Sequence, residues 1–153
     1  MCFDPDPARS PIQQASAFPL RSAVDEADPG QVEICLITSI RRGKWGVPKG
    51  IIDSGETAEE TALKEAEEEA GLRGDLLGPA VGFYEYRKWG TRIEVAVFAM
   101  QVTCAADDWM EADLRERRWV PVETALELIS KQELRDLLPA AVDQWRTRYP
   151  GSA

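Results

Sequence analysis

An α/β sandwich, in which helices cover both sides of a mixed β-sheet, is the fold class predicted by this 153-residue chain, and three observations predict it. Strand-like segments rich in Val and Ile are interleaved with helical ones from the N-terminal third to the C-terminal third. A central helix carries one face of small residues, which lets a helix lie tightly on a sheet. Near the C-terminus, apolar residues recur at three- and four-residue steps, the spacing of a second buried helical face.

Taken in order, residues 1–12 (MCFDPDPARSPI) contain three prolines and little apolar content. They predict a loose arm, with a single domain over 13–149. Ala15 to Val24 and Val32 to Ile40 read as strands separated by the turn-rich Asp25 to Gly30. Trp45 to Ile52 is a short extended piece interrupted by Pro48 and Gly50. Thr57, with Glu60 three residues on, forms a capping box for a helix rich in Ala, which Gly71 closes with a left-handed cap. Leu76 to Tyr86 and Thr91 to Val102 predict a hairpin around Lys88-Trp89-Gly90. The acidic stretch Asp107 to Glu116 predicts a loop, and Arg118 to Val120 a last short strand. Pro121 then opens a helix through Ser130. A terminal helix follows, in which Leu134, Leu137, Leu138, Ala141, Val142 and Trp145 make the stripe. No internal repeat or linker divides the chain.

Composition removes several function classes. With 44% hydrophobic and 29% charged residues the chain is globular in type. Its longest apolar runs, Ile34 to Ile37 and Val95 to Met100, are far shorter than the roughly 20 residues of a membrane helix. Met1 to Arg9 has acids and prolines where a secretory leader has a basic start and an apolar run. The absence of histidine excludes imidazole-based triads, histidine phosphoenzymes and His-ligated zinc. Cys2, Cys35 and Cys104 are odd in number and far apart, so a disulfide framework is not expected and a reducing cytoplasm is. A net charge of −9 argues against general nucleic-acid or membrane-surface binding.

That charge is unevenly spread. Between Glu56 and Glu69 there are seven glutamates and one lysine, while Arg41, Arg42, Lys44 and Lys49 lie just upstream. An acidic patch beside a basic one suits a metal with phosphate. At about 100° per residue, Glu65, Glu68 and Glu69 share one arc of the helix. Like charges at such steps weaken a helix unless something positive sits among them, and a hard divalent cation such as Mg2+ or Mn2+ would do so. The alternative from the residues alone is a solvated acidic helix face.

Gly50, Glu56 and then Lys64-Glu65-Ala66-Glu67-Glu68-Glu69-Ala70-Gly71-Leu72 resemble the Nudix box: Gly, five residues, Glu, seven residues, then Arg-Glu-aliphatic-any-Glu-Glu-any-Gly-aliphatic. Spacing and every acidic and glycine position agree. WGVPKG, ending at Gly50, is similar to the segment that leads into the box in many Nudix hydrolases. The resemblance implies a Nudix-type α/β/α sandwich and a Mg2+- or Mn2+-dependent hydrolase of diphosphate bonds. Glu65, Glu68 and Glu69 would be the catalytic metal ligands, with the Gly50 carbonyl as a further ligand. Glu56 would pair with the box's basic residue as a structural brace. Two positions depart from the pattern: Lys64 replaces the family arginine, losing its planar fork, and Ala66 is small for an aliphatic position. Lys64 therefore predicts a weakened brace.

In the reaction so implied, water attacks phosphorus in line while cations neutralise the developing charge. The base is either one of the box carboxylates or a residue outside it, for which Glu85, Glu94, Glu111 and Glu116 are available. Arg41, Arg42, Lys44, Lys49 and Arg87, with Lys88 and Arg92 nearby, are candidates to grip a small polyphosphate substrate. Trp45, Tyr84, Tyr86 and Trp89 are candidates either to stack a base or to pack a core. Asp108-Trp109-Met110-Glu111, Arg115-Glu116-Arg117-Arg118-Trp119 and Glu123-Thr124-Ala125-Leu126 look like the region after the box in diadenosine and diphosphoinositol polyphosphate hydrolases. Alternatives are a nucleoside triphosphate or RNA 5′-end pyrophosphohydrolase, and a weakly catalytic Nudix-like nucleotide-binding module.

Overall fold

A computed structural model describes residues 11–23 and 31–148. Residues 1–10 of the expected arm, the turn expected at Asp25 to Gly30, and Tyr149 lie outside the described residues. Strands β1 (Ile12–Ser22), β2 (Val32–Thr38), β3 (Trp45–Gly46) and β4 (Lys49–Ile51) precede helix α1 (Ala58–Ala70). After it come β5 (Leu72–Leu76), β6 (Gly82–Lys88), β7 (Thr91–Ala105) and β8 (Arg117–Pro121), then helices α2 (Val122–Leu128), α3 (Gln132–Arg135) and α4 (Leu138–Arg148).

The sheet is mixed, in the order β3-β2-β1-β7-β5, with β4 on β1, β6 on β7 and β8 on β2. Its spine is the parallel pair of β1 and β7, in register from Ile12↔Ile93 to Leu20↔Gln101. Because side chains alternate along a strand, these two supply both cores. Ala15, Ala17, Ala96, Phe98 and Met100 face Ala62, Ala66 and Ala70 of α1. Phe18, Leu20, Val95, Val97 and Ala99 face Ala125, Leu138, Ala141, Val142 and Trp145 on the other side. The small-residue face of α1 is wholly buried at Ala62, Ala66 and Ala70, which seats the helix close enough to bring its carboxylates to the sheet.

α1 is delimited by local chemistry. Thr57 Oγ1 accepts from the Glu60 N–H and Glu60 Oε1 accepts from the Thr57 N–H, both at 3.0 Å; such a cap contributes about 1 kcal/mol. Gly71 ends the helix at φ 69°, ψ 28°, a left-handed conformation that glycine adopts without penalty.

Beyond shifts of a few residues at the ends of β1, β2, β7 and β8, three elements differ from those expected. Of the strand expected at Leu76 to Tyr86, only Leu76 and Gly82 onward are strand, while β5, which ends at Leu76, is an additional strand on the same partner: β5 pairs with residues 100–105 of β7, and β6 with residues 91–97. Arg73, Gly74 and Asp75 hide the first of these from β-propensity, yet glycine is required there, since a Cβ at Gly74 would run into the Gln101 carbonyl. Pro121 ends β8 and caps α2 instead of lying in its first turn. The terminal helix is broken between Arg135 and Leu138, just before Pro139, which cannot donate a backbone bond in a helix interior. The stripe survives the break: Leu134, Leu138, Ala141, Val142 and Trp145 are all buried, with Leu137 packed against them.

Candidate active site

The WGVPKG segment is held against β1, because the Pro48 carbonyl accepts both the Ala17 N–H (3.2 Å) and the Ser16 hydroxyl (2.8 Å). This presents β4 to the flank of α1. A Cβ at Gly50 would overlap the Glu65 carboxylate, so glycine lets the strand approach that side chain where it now lies. One position earlier, the Lys49 N–H donates to Glu69 Oε1 at 3.2 Å. Glycine and carboxylates 15 and 19 residues apart thus form one site.

Glu65 and Glu69 are hydrogen-bonded to each other, and burial raises both pKa values, that of Glu69 to about 8. Burial and the closeness of a second carboxylate both disfavour charge on the pair, while Arg115 and the Lys49 N–H favour it on Glu69. Glu68 lies one turn on from Glu65 and repels its charge. Arg115, which sequence reasoning missed, supplies the positive charge. Its guanidinium lies 3.6 Å from Glu69 Oε2, donates to Glu111 Oε1 at 2.8 Å and to the Thr38 carbonyl at 3.0 Å. The Glu65–Glu69 bond and the Arg115 contact leave no ready-made cage: among the described residues no three acidic, histidine or cysteine side chains stand together around a point that could hold a metal. The fit to a cation is one of donor type. The carboxylates offer only oxygen, the ligand of hard divalent ions, and the crowding of Glu65, Glu68 and Glu69 on one face marks where positive charge is wanted.

The loop at 106–116 and the start of β8 dock on the exit of α1, whose last carbonyls otherwise lack partners. Glu68 O accepts from the Glu111 N–H, Glu69 O from the Trp109 indole, Ala70 O from Arg117 and Gly71 O from the Ala106 N–H. Arg117 also stacks on Trp109 at 4.1 Å and places a cation at the negative end of the helix dipole. This docking is what carries Glu111 and Arg115 to the carboxylates. Of the four acids considered outside the box, Glu111 is the one whose charge acts on Glu65. Glu85 instead pairs with Arg92 on the hairpin at 3.0 Å.

The brace at the other end of the helix is formed. Lys64 Nζ lies 2.9 Å from both oxygens of Glu56 and 3.2 Å from Asp53 Oδ2. Glu56 Oε1 further accepts from Thr61 Oγ1 and the Asp53 N–H. These contacts hold the Glu56 carboxyl below its ordinary pKa and push that of Lys64 up. An ammonium centred on the carboxylate, with Asp53 as a second partner, replaces the missing guanidinium fork.

Glu69 and Arg115 also line a cleft of about 930 Å3. All five expected phosphate-gripping residues, Arg41, Arg42, Lys44, Lys49 and Arg87, line it, as do Lys88, Arg115 and Lys131. Glu69 is the one acid among these lining residues. Arg92 is not among them, being held by Glu85. Lys131 comes from the link between α2 and α3; no spacing in the sequence ties it to the box. Tyr86 donates to Gln14 Oε1 at 2.9 Å, and its ring is 4.4 Å from Lys49 Nζ and 4.3 Å from Lys131 Nζ. Its ring thus carries two lysines while also packing against the core beside Tyr84, whose ring stacks on it at 6.2 Å and is itself buried. Trp45 is partly buried against that core, and Trp89 is exposed at the cleft.

Known proteins are similar to this chain in sequence and in fold. Nudix hydrolase 12, mitochondrial, of Arabidopsis thaliana is 34% identical over 130 residues, 77% of this chain and 64% of that protein. Mouse diphosphoinositol polyphosphate phosphohydrolase 3-alpha is 31% identical over 100 residues, 63% of this chain and 60% of that protein. The chain thus spans about three fifths of the length of these relatives. The crystal structure of a C. elegans Ap4A hydrolase shares the fold with a TM-score of 0.66 at 22% identity, covering 86% of this chain and 96% of that one. The sequence profile of the NUDIX domain matches residues 21–141. With a box whose Gly50 abuts Glu65 on an α/β/α sandwich, the chain belongs to the NUDIX domain family.

Proposed function

We propose that the chain is a divalent-metal-dependent pyrophosphohydrolase of highly phosphorylated small molecules, a diadenosine polyphosphate or a diphosphoinositol polyphosphate. The observation that carries this reading is the cleft: eight Lys and Arg side chains and a single acid line it, in a chain of net charge −9. Basic groups so concentrated on an acidic protein suit a polyanion. The names of the mouse relative and of the worm structure point to the same two substrate classes.

Glu65, Glu68 and Glu69, with the Gly50 carbonyl, would hold Mg2+ or Mn2+. A bound divalent cation supplies charge neutralisation at the reacting phosphoryl group and a water of lowered pKa. The chain's own residues do the rest. Arg41, Arg42, Lys44, Lys49 and Arg87 grip the phosphates, Arg115 steadies Glu69, and the Glu56–Lys64 brace fixes the segment ahead of α1. Glu111, beside Glu65 and bonded to Arg115, is the candidate base from outside the box. No helix among the described residues is long and apolar enough to cross a membrane, and a small diffusible substrate in the cytoplasm suits the reading.

The test is product analysis by mass spectrometry after incubation with Mg2+ and a panel of dinucleoside polyphosphates, diphosphoinositol phosphates, nucleoside triphosphates, capped RNA and nucleotide sugars. Loss of a dinucleoside or diphosphoinositol compound is expected, with Glu69→Gln slower by at least about 100-fold. Turnover of nucleoside triphosphates or capped RNA alone would replace this substrate class, and an unimpaired Glu69→Gln would remove the metal-site assignment.

A further inference from the structure

Trp89 stands at the tip of the β6–β7 hairpin, where Lys88 pairs with Thr91 and Trp89-Gly90 form the two-residue turn. Both turn residues have positive φ, 51° at Trp89 and 76° at Gly90. Turns of this kind favour Asn or Gly at the first position, and a large side chain there is strained. Packing does not compensate, because Trp89 is 88% exposed, the highest value among the large exposed hydrophobic residues described. Nor is the ring part of the core, its neighbour being the Lys88 ammonium at 4.9 Å. The side chain nevertheless lines the basic cleft, together with Ile40, which is 52% exposed. A cleft walled by cations thus carries two uncovered apolar groups, one of them a flat indole.

We infer that Trp89 is a stacking platform for the nucleobase of a substrate whose phosphates lie among Lys49, Arg87 and Lys131, so that the cleft selects a nucleoside polyphosphate over an inositol polyphosphate. This rests on the proposed function and narrows it. A nucleotide combines the two chemistries of the cleft, a polyanionic chain and a planar apolar ring, whereas a phosphorylated inositol ring offers anions on all sides and no π-face. The indole makes no sequence-specific hydrogen bond through its face, so the platform accepts any base. The Lys88 ammonium lies over one face of the ring at 4.9 Å, so the base takes the other, solvent-exposed face and Lys88 is placed to meet phosphate. Ile40, on the loop before Arg41, adds apolar surface on the same cleft.

The test compares the intact chain with Trp89→Ala and Trp89→Phe in Mg2+. Three quantities are measured: KM and kcat on diadenosine tetraphosphate, the inhibition constant of inorganic tripolyphosphate, and turnover of a diphosphoinositol polyphosphate. Loss of base stacking is expected to raise the KM of Trp89→Ala about tenfold, with kcat retained, tripolyphosphate inhibition unchanged and Phe restoring most of the affinity. Unchanged inhibition also shows that the variant is folded with its phosphate site intact. A wild-type chain that cleaves diadenosine tetraphosphate with a KM indifferent to Trp89 overturns the platform and leaves the hydrolase reading standing. Equal weakening of tripolyphosphate would overturn it too, by making the effect electrostatic or structural. Turnover of the diphosphoinositol compound alone would overturn the nucleotide preference, and turnover of neither would overturn the substrate reading beneath it.

Discussion

The carboxylate helix and the basic cleft beside it are built in opposite ways. The ligand positions of the first all lie between Gly50 and Gly71, in one strand, one turn and one helix whose spacing is set by the helical repeat, with Lys49, Glu111 and Arg115 added from outside. The second is walled by the loop at residues 39–44, the hairpin tip, the segment docked on the end of α1 and the link between α2 and α3. Local geometry makes a site intolerant of change at single positions. A wall assembled from many exposed cations spreads its effect over all of them, and solvent screens each one.

If that contrast holds, the largest effect belongs to Gly50→Ala. Its methyl group would overlap the Glu65 carboxylate, so that carboxylate must swing out of its place, and displacements of this size at a reacting centre cost about 100-fold in rate. Steady-state hydrolysis together with a thermal melt checks this, and near-normal kcat would show that the box is not geometrically tight. On the cleft side, Lys131→Ala removes one of the two cations against Tyr86. A rise in KM of a few-fold is expected, shrinking as salt is added, with kcat kept. A large kcat loss there would break the distinction, placing Lys131 in the chemistry. The smallest effect is Lys64→Arg. Lys64 already meets both Glu56 oxygens at 2.9 Å, so the change in kcat/KM is expected to stay within about twofold, as for other exposed ion pairs. A large gain would show the lysine brace to be deficient.

Legibility in the sequence follows the same division. Thr57, Glu60 and Gly71 announce α1 because capping is a bond between near neighbours. Glu65 and Glu69 face alike because four residues is close to one turn. Between β5 and β6 that kind of reasoning runs out. Leu72-Arg73-Gly74-Asp75-Leu76 has little strand propensity, and it becomes a strand because the C-terminal half of β7 presents an unpaired edge to the chain as it leaves Gly71. Arg115 and Lys131 were equally unreadable, since nothing in their flanking residues records that the folded chain carries them to Glu69 and to Tyr86.

Taken alone, the order of residues determined the α/β/α class, the boundaries of α1, the apolar stripe of the C-terminal helices and the box itself, because each is written as a pattern of residue types at fixed spacings along the chain. Tertiary structure decided the burial that raises the pKa values of Glu65 and Glu69, the Arg115 link to Glu111, the covering of the Tyr86 ring by two lysines and the exposure of Trp89 on the cleft. Those outcomes depend on burial and on which distant segments meet, quantities that exist only once the chain has closed on itself.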